Sequence, residues 1–145
     1  MSTQTESPSA PPARKAIHLS AELRLHRCEV ARWALAAGRP LNLDAVTVIL
    51  AARSFESSID GHPFLRWTSQ SVITFTWGAA SQLCASRGIE LPPTTAESLY
   101  TYLAFLSDTD QLAPGSSPRR SLLETVIDVS GLRTDGRRRL HESHN

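Results

Sequence analysis

Between Ser20 and Leu132, apolar residues recur at three- and four-residue spacing in five separate stretches, each bracketed by residues that start or stop helices. The first opens at Ser20, a good N-cap, carries Glu22 against the positive helix end, and repeats Leu23, Val30, Trp33, Ala34 and Ala37 before Gly38–Arg39–Pro40 stops it. Asn42 or Asp44 caps a second stretch through Val46, Ile49, Leu50 and Arg53 towards Ile59. Val46–Thr47–Val48–Ile49 also has strand propensity, but about fourteen residues suits a four-turn helix better than a strand. Asp60–Gly61–His62–Pro63 then reverses the chain.

Thr68 or Ser69 caps a third helix that extends to Ser86 or Arg87 and closes at Gly88. Val72, Ile73, Phe75, Ala79, Ala80, Leu83 and Cys84 form its broad apolar stripe, with Trp77 on a flank. Leu91–Pro92–Pro93 is a rigid connector to a fourth helix, which begins at Thr94 or Thr95, has Glu97 in its first turn and turns Leu99, Tyr102, Leu103 and Leu106 inward. After a polar loop, Ser117 caps a fifth helix with Pro118 at the first helical position; Leu122, Leu123, Val126 and Ile127 line it, and Gly131 ends it. The pattern therefore predicts an all-α fold, a small bundle of about five helices forming one domain over residues 17–132. Residues 1–16, with Pro8, Pro11 and Pro12, and the basic residues 133–145 bury too little apolar surface to order, so both are expected to be disordered tails.

Composition narrows the function classes. Of 145 residues, 41% are hydrophobic and 20% charged, which suits a folded globular chain. Fifteen basic against fourteen acidic side chains leave a net charge of +1, so affinity for an anionic polymer has to come from local patches. Fourteen of the fifteen basic residues are arginine, a skew that a GC-rich genome also produces. Cys28 and Cys84 lie far apart without a metal-ligand spacing, no secretory signal precedes them, and no apolar run is long enough to span a membrane. A reducing cytoplasm is the expected location.

Several strings in residues 67–132 go together: Trp67–Thr68–Ser69–Gln70–Ser71, the mid-helix Trp77, Leu83–Cys84–Ala85–Ser86–Arg87–Gly88–Ile89, Leu91–Pro92 followed by Glu97 and Tyr102–Leu103, and Ser117–Pro118–Arg119–Arg120 with Leu122. In this order they resemble the N-terminal core-binding (SAM-like) domain of tyrosine recombinases and phage integrases. The resemblance implies a helical unit that grips double-stranded DNA, with Arg119 and Arg120 directed at phosphates and the Thr68, Ser69 and Ser71 turn near the backbone. It also departs from that pattern. Ile73, Thr76 and Ala80 stand where the family has tyrosine, aspartate and phenylalanine, and Ser71, Val72 and Thr74 replace arginines after the capping turn. Recombinase chemistry further requires a tyrosine nucleophile with arginines and histidines from a larger C-terminal domain. Here the only tyrosines, Tyr100 and Tyr102, share a helix inside the bundle, and no His-x-x-Arg occurs. Strand cleavage by this chain is not expected.

Outside the resemblance, Arg133 and Arg137–Arg138–Arg139 place four positive charges in seven residues, able to neutralise about three phosphates. Arg119 and Arg120 at a helix start oppose the macrodipole, which favours an anionic partner there. His141–Glu142–Ser143–His144 has metal-ligand residue types but no third ligand nearby, so no metal is expected. The aromatic residues read as core. No nucleophile elbow or phosphate-binding glycine loop is present, and neither an enzyme activity nor a cofactor is expected. The expected function is non-catalytic DNA binding or an accessory role in recombination, with double-stranded DNA or a recombinase as partner. The alternative is a helical protein-interaction module marked by an exposed apolar patch.

Overall fold

The computed structural model of the protein describes residues 17–132, in which five helices and no strand occur. The expectations for residues 1–16 and 133–145 lie outside the described residues. Helix α1 is Ala21–Ala37, α2 is Leu43–Asp60, and α4 and α5 are Thr95–Asp108 and Arg119–Ser130. Helix α3 comprises Ser69–Thr74, a π-helical turn at Phe75–Ala79, and Ala80–Arg87.

The helix ends follow the capping chemistry. Ser20 Oγ accepts from the Leu23 amide at 3.2 Å, and Asn42, rather than Asp44, caps α2 by accepting from the Ala45 amide at 2.9 Å. Gly38, Gly61, Gly88 and Gly131 each end a helix in the left-handed conformation, as the glycine positions predict. The start of α5 is a correction. Pro118 is extended, with ψ 152°, and is itself the N-cap residue, so helical geometry begins at Arg119. Ser117 caps nothing; its hydroxyl is taken by a neighbouring segment.

Helix α4 lies at the centre. It packs on α5, α2 and α1, and Leu99 together with the unbroken run Thr101–Tyr102–Leu103–Ala104–Phe105–Leu106 is buried. The predicted inward face held, but the face opposite is covered too, because a helix that is apolar nearly all round finds its minimum between layers. Two hydroxyls on it satisfy the connector between α1 and α2: Ser98 Oγ accepts from the Asn42 amide at 2.8 Å, and Thr101 Oγ1 donates to the Pro40 carbonyl at 2.8 Å. Helix α2 is similarly enclosed over residues 45–50.

Helix α3 serves two neighbours. Its first six residues pack on α5 and its last eight on α2. The buried positions along it are Val72, Phe75, Ala80 and Cys84, so the inward face jumps five residues between Phe75 and Ala80. A regular helix would turn one of those two away from the core. The π-helical turn closes the gap by bonding the Ala80 amide to the Phe75 carbonyl, five residues back. Around it, Trp67 meets Phe75 and Tyr102 edge-on, with ring centroids 6.4 and 6.3 Å apart, and Phe105 joins Tyr102 to Trp33. Two expected core positions are outside: Ala37 is exposed at the end of α1, and Trp77, two residues after the buried Phe75 and so on the far side of α3, is 71% exposed.

Candidate nucleic-acid interface

The beginnings of α3 and α5 are stitched together by backbone and serine. The Ala113 amide donates to the Leu65 carbonyl at 2.9 Å, the Trp67 amide to Ser116 Oγ at 3.1 Å, and the Ser117 amide to the Trp67 carbonyl at 2.9 Å. One step further on, the Ser69 amide donates to Ser117 Oγ at 3.0 Å, and Thr125 Oγ1 donates to Ser69 Oγ at 3.2 Å. The polar loop that precedes α5 thus runs alongside the segment that precedes α3, and two helix starts are held side by side. Neither first turn contains an acidic residue, whereas α1, α2 and α4 open with Glu22, Asp44 and Glu97. With Pro118 as its N-cap residue, α5 also has no side-chain cap over its first amides.

At α3, Thr68 and Ser71 form a reciprocal capping box: Thr68 Oγ1 accepts from the Ser71 amide at 3.1 Å, and Ser71 Oγ accepts from the Thr68 amide at 3.2 Å. Ser69 is bonded to Ser117 through its amide and to Thr125 through its hydroxyl, so all three hydroxyls expected near a nucleic-acid backbone already take part in bonds within the fold. Arg119 reaches back to Asp108, at the end of α4, with Nε 3.0 Å from the carboxylate; Arg120 pairs with Glu124 one turn on, at 3.3 Å, with its side chain 88% exposed. Partly exposed pairs of this kind contribute about 0–1 kcal/mol, so a phosphate can compete for either guanidinium at little cost. The structure therefore brings Thr68, Ser69, Ser71, Arg119 and Arg120 to one end of the α3–α5 pair. Arg133, Arg137, Arg138 and Arg139 lie outside the described residues, as do His141, Glu142 and His144.

Two further arginines, Arg66 and Arg53, which were not among the expected site residues, border this region. Arg66 lies across Gly115, in the loop before α5: a Cβ at Gly115 would sit 3.3 Å from Arg66 Nε. Arg53 of α2 is 6% exposed, with Nη1 2.9 Å from Glu56 Oε1, Nη2 donating to the Arg66 carbonyl at 2.6 Å, and its guanidinium carbon 4.7 Å from the centre of the Trp67 ring. Such a desolvated cation–π contact is worth about 2 kcal/mol, which helps hold Arg53 in the interior. Its helical spacing had suggested only another inward position on α2. Glu56 is its neighbour three residues along α2, whereas the Arg66 carbonyl and the Trp67 ring belong to the connector before α3, which no local pattern joins to it.

His26 is a residue the sequence did not single out. Its Nε2 lies 3.0 Å from the Tyr102 hydroxyl, and its ring makes edge contacts with Phe64, Tyr102 and Phe105. Burial holds the imidazole below its ordinary pKa, with Glu29, 3.6 Å away, opposing that shift. Burial likewise pushes the Tyr102 phenol and the Cys84 thiol up. On another face, the exposed Trp77 borders an apolar groove of about 320 Å³ with Leu91, Pro92, Leu99 and Val129, and its Nε1–H donates to the Val129 carbonyl at 3.3 Å. Among the described residues no group of three or more His, Cys, Asp or Glu is placed to hold a metal ion, and no helix is long and apolar enough to cross a membrane. No protein-family model, curated protein or solved structure matches the chain.

Proposed function

We propose that the protein is a non-catalytic DNA-binding or accessory protein related to the core-binding domain of tyrosine recombinases, and that it meets the duplex backbone with the paired starts of α3 and α5. The observation that carries this reading is the bond from the Ser69 amide to Ser117 Oγ at 3.0 Å, which sets two acid-free helix starts next to one another with Arg119 and Arg120 on the second. Positive helix ends and guanidiniums at one edge suit a polymer that carries a charge every ~1.7 Å of its length. Because the chain as a whole is close to neutral, this local arrangement has to supply the attraction. The test is a gel-shift series against duplex DNA at two salt concentrations. Retarded duplex at low salt, lost on Arg119→Ala with Arg120→Ala, supports the reading; no retardation at low salt, or equal retardation by the double variant, removes it.

A second reading is favoured by Trp77. A tryptophan 71% exposed at the rim of an apolar groove suits contact with another protein chain, a recombinase among them, through a surface separate from the helix starts.

A further inference from the structure

Beside the start of α3 lies a polar cleft of about 230 Å³, closed on one side by α2 and on the other by the connector that carries Arg66. Its lining has more hydrogen-bond donors than acceptors to receive them. Thr68 and Ser71 bring two hydroxyl protons. Their oxygens lie 3.0 Å apart and each already accepts an amide, so one proton bridges the pair and the other points to no acceptor among the described residues. Arg66 presents five N–H donors, of which one meets His62 Nδ1 at 3.0 Å, and it has no carboxylate partner among the described residues. Gln70 donates one amide proton to Thr74 at 3.4 Å and has a second. The one carboxylate in the lining, Glu56, is engaged by Arg53. Arg53 itself lines the cleft, is more than nine-tenths buried, and has an Nε–H without an acceptor. A surplus of donors around two guanidiniums is complementary to a ligand that has only acceptors.

We infer that this cleft holds one phosphate of the DNA backbone, gripped by the Arg66 guanidinium and by the free hydroxyl proton of the Thr68–Ser71 pair. The inference rests on the DNA-binding reading and extends it from the α3–α5 junction to the α2 side of α3, with Thr68 and Ser71 belonging to both. Gly115 takes part by having no side chain, since a Cβ there would stand 3.3 Å from Arg66 Nε and crowd the arginine that lines the cleft. Arg53 is a positioning residue: through the Arg66 carbonyl it holds the backbone from which that side chain extends.

The experiment compares the wild-type chain and Arg66→Gln in binding a short mixed-sequence duplex across a range of salt concentrations. Wild-type binding with a salt slope that falls by about 0.9 in the variant, the share of one phosphate contact, supports the cleft. Wild-type binding with an unchanged slope in Arg66→Gln overturns the cleft and leaves the α3–α5 reading standing. Absence of duplex binding by the wild type overturns both. Should Arg66→Gln fail to fold, the Arg66 Nε–H signal of the wild type, followed by NMR as duplex is added, decides the matter: a saturable shift supports the contact, and a signal that stays in place overturns it.

Discussion

Gly115 and Arg66 pack closely against one another: the glycine has no side chain beside the arginine's path, and a Cβ built there would stand 3.3 Å from Arg66 Nε, tighter than ordinary contact. The glycine is also held at φ +91°, a region that residues with a Cβ rarely adopt. Gly115→Ala should therefore lower stability by about 1–3 kcal/mol in urea unfolding. It should also weaken duplex binding in the same direction as Arg66→Gln. A variant as stable as the wild type would show that the loop before α5 can relax without moving the arginine.

The paired helix starts make a separate prediction about salt. Replacing Arg119 and Arg120 together by alanine removes two phosphate-directed charges, so the slope of log affinity against log salt should fall by about 1.8. The lost pairs with Asp108 and Glu124 are partly exposed and should cost the fold little, about 1 kcal/mol or less. Thermal unfolding of the double variant separates the two effects.

His26 couples stability to pH. Its folded-state pKa lies below the ordinary value of 6.5, chiefly through burial, so below that value the unfolded chain takes up a proton more readily than the folded one. The contribution is fully present above pH 6.5 and is lost as pH falls through and below it. The urea midpoint should drop between pH 7.5 and pH 5.5, and His26→Gln should remove part of that drop. An equal drop in the variant would assign the pH dependence to other groups.

Trp67 and Trp77 stand ten residues apart with opposite fates, one fully buried and the other 71% exposed. Trp67→Ala should cost about 3–5 kcal/mol, since it opens a cavity beneath Phe75 and Tyr102 and removes the ring facing Arg53. Trp77→Ala should cost less than about 1.5 kcal/mol, essentially the bond to the Val129 carbonyl. Pull-down of a recombinase by the wild type and not by Trp77→Ala would support the interaction reading of the groove.

Local chemistry alone determined the five helices and most of their ends. Ser20, Asn42 and Thr68 cap where short polar side chains can reach an amide, and the glycines at 38, 61, 88 and 131 end helices where a left-handed residue is needed. These are interactions within a few residues, which is why a linear reading finds them. The candidate residues at 68, 69, 71, 119 and 120 came from the resemblance of short strings along the chain. A linear reading could not bring them together, because the bond between Ser69 and Ser117 spans 48 residues.

Only the tertiary structure decided the rest. The π-helical turn at Phe75–Ala79 exists because one helix must face both α5 and α2, a demand that comes from the neighbours. Ser117 gave up the cap of α5 because the Ser69 amide was within reach. Arg53 went inward because the Arg66 carbonyl and the Trp67 ring, on the connector before α3, meet it beside Glu56 of its own helix. In each case the side chain follows whichever partner the packed fold brings close, and that choice is written in distances between helices rather than in the order of residues along them.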